Sequence, residues 1–495
     1  MSKTVYLGID AGTTKLKAAL VSVEGELLAE ASRSVTVLRP FEGACEIDMN
    51  LLWSQLCEVT QELRQNCPDH WDAIAGLGIS GQGDGMWPVD ANGSPVRNAI
   101  LWNDTRTKEL TLNHEDQIAQ FLIQQHVTPL FAGAFPVILR WLKEKEPQHY
   151  GRIAKVLHCK DWLNYNLTGV YATDYSDAST AAIDIFTKEY VPELFDMLEI
   201  PEAKTMVPNL LATTAVVGRV NAAASAATGI PEGVPVIAGA IDVAAVALGA
   251  GVTKTGEGCT ILGTTLCNEI LIDPQQVNSS DTNGSALCSI VPGKYVRVMA
   301  ANSGNAAIDW AKSAMASDLS FQELEERLAG LPAGSGGVLF HPYLYGERAP
   351  FKDPFACGGF YGLTARHDRF HMLRAVYEGM VLSLMDCYKH LPATDGNIYL
   401  SGGGAVSDFT CSLVAHALNR KVLRPHRKEL GIYGIVTAVR MALSDSQEIP
   451  EFSGAQYTEF RPDEAIHHVM EELLVRFLRL REQMSGFWKE RSRTE

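Results

Sequence analysis

Apolar and polar positions sort the start of the chain into short strands. Val5 to Val21 reads VYLGIDAGTTKLKAALV, two apolar runs around the polar loop Asp10-Ala11-Gly12-Thr13-Thr14. This pattern predicts a strand, a turn of small residues and a returning strand. LKAALVSV is followed by the turn Glu24-Gly25-Glu26 and LLAEASRSVTV, which extends the pair to a three-stranded meander. Leu52, Leu56, Val59 and Leu63 recur at helical spacing within Asn50 to Asn66. DAIAGLGIS, Asp72 to Ser80, reads as a buried strand, and Asn92-Gly93 as a hairpin turn. KDWLNYNLTG, Lys160 to Gly169, predicts a helix stopped by glycine, and TDYSDAST, Thr173 to Thr180, a polar loop. GVPVIAGAIDVAAVALGAGV, Gly233 to Val252, predicts an apolar strand, Asp242 at its end, and an apolar helix.

The second half echoes the first. CTILGTTLCNEILI, Cys259 to Ile272, again runs strand, Gly263-Thr264-Thr265, strand. Such an echo points to two domains of one design, 1–253 and 254–495. Helices are expected at Ala306 to Met315 and Phe370 to Leu391. Asn397 to Leu418 reads as strand, triple glycine, then a helix capped by Ser407 or Asp408. In the tail, Ile466, Met470, Leu473, Phe477, Leu480, Met484 and Phe487 alternate by four and three. Packing on their own domain is the first reading of that seam, a dimer contact the second.

Composition narrows the function. A length of 495 residues exceeds one core. A net charge of -16 speaks against wrapping nucleic acid or an anionic membrane. A bound phosphate must then be held by backbone N–H groups, a metal ion or a few local cations. Met1 to Thr4 leads straight into a strand, so no secretory signal is expected, and no apolar run reaches membrane-spanning length. Ten cysteines without a repeated Cys-x-x-Cys read as reduced thiols of a cytoplasmic protein rather than a zinc site. The opening segment has neither the G-x-x-x-x-G-K-[ST] motif nor the following helix of a P-loop. Gly12 still lets N–H groups approach a ligand, with two threonine hydroxyls beside them. Two polar clusters, Gln82/Asp84 and Asn103/Asp104/Arg106, bracket the expected hairpin and suit the hydroxyls of a neutral polyol. Asp242 is either a helix cap or a proton acceptor.

At Gly358 to Glu378, GGFYGLTARHDRFHMLRAVYE resembles the second signature of the FGGY carbohydrate kinases. Gly358, Phe360, Gly362-Leu363, His371-Met372, Ala375-Val376-Tyr377 and Glu378 carry the likeness. IDAGTTKLKAAL, NAILWNDTR, KDWLNYNLTG with TDYSDAST, PVIAGAIDVAAVALGAG and SGGGAVSDF resemble other family segments in the same order, so the likeness covers nearly the whole chain. Two departures stand out. The lysine of the first signature is absent near FPVILRWLKEKEP, where Ile138 or Leu139 stands. GQGDGMW matches neither glycerol kinases nor D-xylulokinases and looks nearer to erythritol kinases and the L-xylulokinase branch.

The resemblance implies an α/β protein of two ribonuclease-H-like, actin/hexokinase-type domains, with mixed sheets flanked by helices and a cleft between them. It implies Asp242 as catalytic base and substrate contact, and Asp10 as the Mg²⁺ partner through water. Gly12, Thr13 and Thr14, with Gly263, Thr264 and Thr265, would meet the ATP phosphates. Gly402, Gly403, Gly404 and Ala405 would hold the adenosine end. Gln82, Asp84, Asn103 and Asp104 are the candidates for substrate hydroxyls. The implied activity is cytoplasmic, ATP- and Mg²⁺-dependent phosphorylation of a terminal hydroxyl of a small sugar, a ketopentose first and erythritol or another alditol second. An actin- or chaperone-like ATPase is the competing class that fold alone does not separate. The family leaves room for a homodimer.

Overall fold

The computed structural model describes residues 4–113, 115–278, 280–444, 448–450, 452 and 455–491. The chain forms two compact units: Met1–Thr253 with Asp273–Val296 and Glu429–Gly454, and Lys254–Ile272 with Arg297–Lys428 and Ala455–Glu495.

The first unit is built on a mixed sheet. Its strands are β1 (Val5–Ala11), β2 (Lys15–Ser22), β3 (Leu27–Ser34), β4 (Ile74–Gly81), β5 (Val216–Arg219), β6 (Pro235–Ile237) and β7 (Ala240–Ile241). The order is β5-β6-β4-β1-β2-β3, with β7 also on β4. β1, β2 and β3 form the expected antiparallel meander, while β4 runs parallel to β1. The Met49–Asn66 helix buries Leu52, Leu56, Val59 and Leu63 in one core with Leu7 and Ile9. Each such buried side chain contributes about 1.5–3 kcal/mol. Asp48 caps this helix, accepting from the Asn50 and Leu51 N–H groups at 2.9 and 3.1 Å. The Leu430–Leu443 helix lies against β1 and β4, where small residues let it come close. A Cβ at Gly8 would stand 2.8 Å from Ile432 Cγ2, and one at Gly78 2.9 Å from Ile435 Cγ1. A second core gathers Phe135, Ile138, Leu139, Leu142 and Phe195. Ile138 and Leu139 are fully buried there, which accounts for apolar residues where the family signature has lysine.

Two local readings change. The turn at Asn92-Gly93 exists, with Gly93 at φ +77° and the Asp90 N–H donating to Ser94 O at 2.9 Å. The two arms meet through the single bridges Val89–Pro95 and Met86–Ile100, since Pro95 has no N–H to donate, and Ala99–Ile100 pairs with Glu46–Ile47. Trp87–Val89 pairs instead with Lys155–Leu157. TDYSDAST is no solvated loop. It contains the strand Ala172–Asp174 and a one-turn helix, Tyr175–Ala178, and Thr173, Asp174, Ser176 and Asp177 are all buried. Asp174 caps that turn, and a buried lysine described below supplies its counter-charge.

The second unit repeats the design. β8 (Gly258–Leu262), β9 (Leu266–Ile272), β10 (Tyr295–Ala301), β11 (Ile398–Ser401), β12 (Val422–Pro425) and β13 (Tyr457–Phe460) are ordered β10-β9-β8-β11-β12-β13. β8 pairs antiparallel with β9 and parallel with β11, as β1 does with β2 and β4. The Arg369–Lys389 helix is buried nearly all round. Its Glu378 pairs with Arg374 at 2.8 Å and accepts from Ser335 Oγ at 2.6 Å, so the acidic end of the signature is architectural. The Glu464–Arg491 helix buries Met470, Leu473 and Phe477 within its own unit, while Phe487 is exposed and Trp488 takes the inner place. All ten cysteines are free thiols. Among the described residues no helix is long and apolar enough to cross a membrane.

Candidate active site

In the first unit the chemistry gathers at the ends of β1, β4 and β7. Parallel register sets Asp10 across from Ser80, and Ser80 Oγ donates to Asp10 Oδ1 at 3.0 Å. The Gly12 N–H closes the turn onto Lys15 O at 3.0 Å. Thr13 Oγ1 donates to Gln82 Oε1 at 3.1 Å and accepts from Trp102 Nε1 at 3.2 Å. Thr14 is exposed. Gly431 brings bare backbone to Asp10, where a Cβ would stand 3.3 Å from the carboxylate. Burial pushes the Asp10 carboxyl up, against the pull of Ser80 and Lys17.

β7 pairs with Ser80 and Gly81 of β4 and so delivers Asp242 to the same end of the sheet. Asp242 is the first residue of the Asp242–Ala250 helix, and its Oδ1 accepts the Val243 N–H at 2.7 Å. Burial, then the charge of Asp10, raises its carboxyl to about 7, with the Val243 N–H opposing. Ile241, not Asp242, occupies the cap position, so the helix-cap reading does not describe it. A carboxylate titrating near neutrality is suited to take a proton from a hydroxyl.

The acceptor-side residues follow β4. The Gln82 N–H donates to Ala11 O at 3.0 Å, and its buried Nε2 has no nitrogen or oxygen acceptor within hydrogen-bond distance among the described residues. A side chain at Gly83 would run into Ile241. Asp84 is held at φ +55°, a left-handed backbone that Asp tolerates better than most residues. Its N–H donates to Asp177 Oδ1 at 3.3 Å, and Thr180 Oγ1 donates to its Oδ1 at 2.8 Å. Burial lifts Asp84 to about 7, opposed by the charge of His158 and by Thr180. Asn103 Oδ1 is buried without a hydrogen-bond partner among the described residues. Asp104 has other work: its oxygens accept the Cys45 N–H at 2.7 Å and the Arg106 Nε and Nη2 at 2.9 and 2.8 Å.

Behind these residues lies a buried ion-pair cluster that carried no assigned role in the sequence reading. Lys160 Nζ meets Asp161 at 2.6 Å, Asp174 at 3.0 Å and Asp177 at 3.2 Å. His158 Nδ1 lies 3.1 Å from Asp161 Oδ2. His158, Asp161 and Asp177 could ligate an ion by distance alone. The ammonium of Lys160, bonded to two of the three, supplies the cation itself. The available signal was Lys160-Asp161 followed by Asp174 and Asp177, one lysine and three aspartates within eighteen residues.

The second unit has a cleft of ≈ 1370 Å³ lined in part by Gly263, Thr264, Asn305, Gly403, Gly404 and Phe409. Thr265, Gly402 and Ala405 shape its turns: Thr265 O accepts the Gly263 N–H and Gly402 O the Ala405 N–H, both at 3.1 Å. Gly402 sits at φ +85°. Ser407 Oγ caps the following helix, accepting from the Thr410 N–H at 3.0 Å. Asn305, which the sequence reading passed over, donates to Leu262 O at 2.9 Å and leaves a buried Oδ1 without a partner among the described residues.

The N-terminal domain of the FGGY family of carbohydrate kinases matches residues 5–249, and its C-terminal domain residues 258–443. The chain belongs to the FGGY family of carbohydrate kinases. It is 30% identical to the L-xylulose/3-keto-L-gulonate kinase of Escherichia coli, over 97% of each chain. It is 28% identical to the erythritol kinase of Brucella abortus, over 98% of this chain and 97% of that one. The crystal structure of xylulose kinase from Rhodospirillum rubrum superposes with a TM-score of 0.90 and 27% identity, over 98% of this chain and all of the other. This FGGY kinase thus has the two-domain α/β architecture of sugar kinases, and the lines of β-loop-β in its two halves are one element used twice.

Proposed function

We propose that this kinase transfers the γ-phosphoryl group of ATP to a terminal hydroxyl of a small sugar, with a ketopentose of the xylulose type as first acceptor. The observation that carries the reading is Asp242, presented at a strand end beside Asp10 with a carboxyl raised to about 7, in a chain that matches the family through both domains. Erythritol or another alditol is the second reading, favoured by the Gly81-Gln82-Gly83-Asp84-Gly85 segment and by the erythritol kinase relative.

Phosphoryl transfer needs positioning, charge neutralisation and a base. One Asp242 oxygen is held by the Val243 N–H, leaving the other for the acceptor hydroxyl. That oxygen takes the proton as the hydroxyl oxygen bonds to phosphorus and ADP leaves. Gln82, Asp84 and Asn103 orient the acceptor through polar atoms of which two, Gln82 Nε2 and Asn103 Oδ1, are buried without a nitrogen or oxygen partner among the described residues. Gly12, Thr13 and Thr14 hold phosphate in the first unit. In the second, Gly263 to Thr265 and Gly402 to Ala405 frame a cleft for the nucleotide. Asp10, a hard oxygen donor steadied by Ser80, fits Mg²⁺. The ion would offset the charge of the transferred group. Cytoplasmic location and an optional homodimer go with this reading.

A coupled ADP assay over pentuloses, tetritols, pentitols and glycerol tests it. Sugar-dependent ADP release is expected for at least one neutral acceptor; sugar-independent hydrolysis alone would favour the actin-like ATPase class. Asp242→Ala is expected to cut turnover by about 10²–10⁴-fold while leaving ATP affinity unchanged. Near wild-type turnover would remove Asp242 from the mechanism.

A further inference from the structure

Asp242 is delivered by a broken strand. β6 ends at Ile237 and β7 begins at Ala240; between them Gly239 sits at φ +81°, where a Cβ would run into Ile79 O. β7 is two residues long and pairs with β4. So short a strand has few ladder bonds to fix its direction. Other groups hold the backbone around it. Asn164 Nδ2 donates to Ala238 O at 2.9 Å, the Gly239 N–H to Thr213 O at 3.1 Å and the Ile241 N–H to Ser176 Oγ at 3.0 Å. The last of these bonds is made by the residue immediately before Asp242. Ser176 is fully buried in the one-turn helix Tyr175–Ala178. That turn is anchored from behind. Asp174 caps it, takes the Thr213 hydroxyl at 2.6 Å and meets Lys160 at 3.0 Å, while Asp177 meets Lys160 at 3.2 Å. The buried ion cluster thereby fixes where the Ser176 hydroxyl stands.

We propose that Ser176 is a positioning residue for Asp242: its hydroxyl, set by the Lys160 cluster, fixes the Ile241 peptide and so aims the carboxylate. Ser176 touches no reacting atom and acts through the backbone. A buried N–H needs an acceptor, and the Ser176 hydroxyl supplies one to Ile241. Without it the N–H must turn toward another acceptor, and the peptide that turns carries Asp242 with it. Proton transfer depends on the distance and angle between base and hydroxyl. Lost aim therefore slows the chemical step and leaves the binding of both substrates as it was. The role rests on the kinase reading with Asp242 as base.

Steady-state kinetics and thermal melts test it. Ser176→Ala is expected to lower kcat by about tenfold or more, with the KM of acceptor and of ATP within about threefold of wild type. Ser179→Ala is the matched control. The Ser179 hydroxyl donates within the same turn to Ser176 O at 2.8 Å and accepts the Cys288 N–H at 3.0 Å. Its loss loosens the turn without removing the hydroxyl under Ile241, so the melting temperature should fall comparably while kcat stays within about threefold. Ser176→Cys, close in size and a weaker acceptor, should fall between Ser176→Ala and wild type, and carries the test if the alanine variant folds poorly. In an Asp242→Ala background, Ser176→Ala should lower the residual turnover by less than about twofold, since no carboxylate is left to aim. An unchanged kcat in the Ser176 variants, an equal loss in Ser179→Ala, or the same fold loss with and without Asp242 overturns the positioning role. If the wild type phosphorylates a sugar and these comparisons fail, the role of Ser176 alone falls. If the wild type phosphorylates none, or Asp242→Ala turns over near wild type, the kinase or base reading falls and the positioning role with it.

Discussion

At Asp242 burial and then the charge of Asp10 raise the carboxyl to about 7, with the Val243 N–H at the helix start opposing. A base must be ionised to work. Turnover is therefore expected to rise with pH through about 7 and to fall about tenfold per unit on the acid side, as a pH–rate profile would show. A profile flat across that range would remove Asp242 as the titrating base. Stability runs the other way for these two carboxyls. Asp84 has a folded-state pKa above its ordinary 3.8, so its contribution is complete below that value and lost as pH rises through about 7. Asp84→Asn cannot ionise, and its melting temperature relative to wild type should improve as pH rises. Asp10 and Asp242 stood out because each lies at the end of an apolar strand, and Gln82 and Asp84 because they crowd into the short glycine-rich loop just past another. His158, Lys160 and Asp177 did not. Their polarity reads as exposure in one dimension, and only the folded pairing shows three aspartates sharing one lysine.

The Asp242–Ala250 helix is held in place by the absence of side chains. A Cβ at Gly249 would run into the Leu430 carbonyl, and one at Gly434 into the Ala245 carbonyl. The two helices meet backbone to backbone, and Asp242 stands at the N-terminus of one of them. Gly249→Ala is expected to destabilise the first unit by about 1–3 kcal/mol and to lower turnover by displacing Asp242. Denaturant melts with kcat and nucleotide affinity check this; unchanged stability would show that the helices can separate freely. Element boundaries were legible to within a residue or two where periodicity was strong, as in Met49–Asn66 and Arg369–Lys389. The glycine contact was not, since a glycine inside an apolar helix looks like a weak point until its neighbour is known.

Each unit has its own sheet and its own core, and the repeated Gly-Thr-Thr loop announced that duplication in one dimension. Calorimetric unfolding is expected to depart from two-state behaviour, with acceptor sugar shifting one component and ADP the other. A single transition whose calorimetric and van't Hoff enthalpies agree would contradict it. The single boundary expected at 253/254 does not hold: Asp273–Val296 and Glu429–Gly454 both return to the first unit, which the chain order concealed. The Leu430–Leu443 helix is apolar on every side, so its pattern does not say which sheet it covers. That return bears on how the protein is made. A ribosome releases β1 and β4 early, yet the helix that covers Gly8 and Gly78 emerges only after residue 430. Through most of synthesis the nascent first unit carries a bare, glycine-lined apolar face, open to wrong partners. A fragment ending at Thr253 would lack that cover and is expected to aggregate where the full chain stays dispersed.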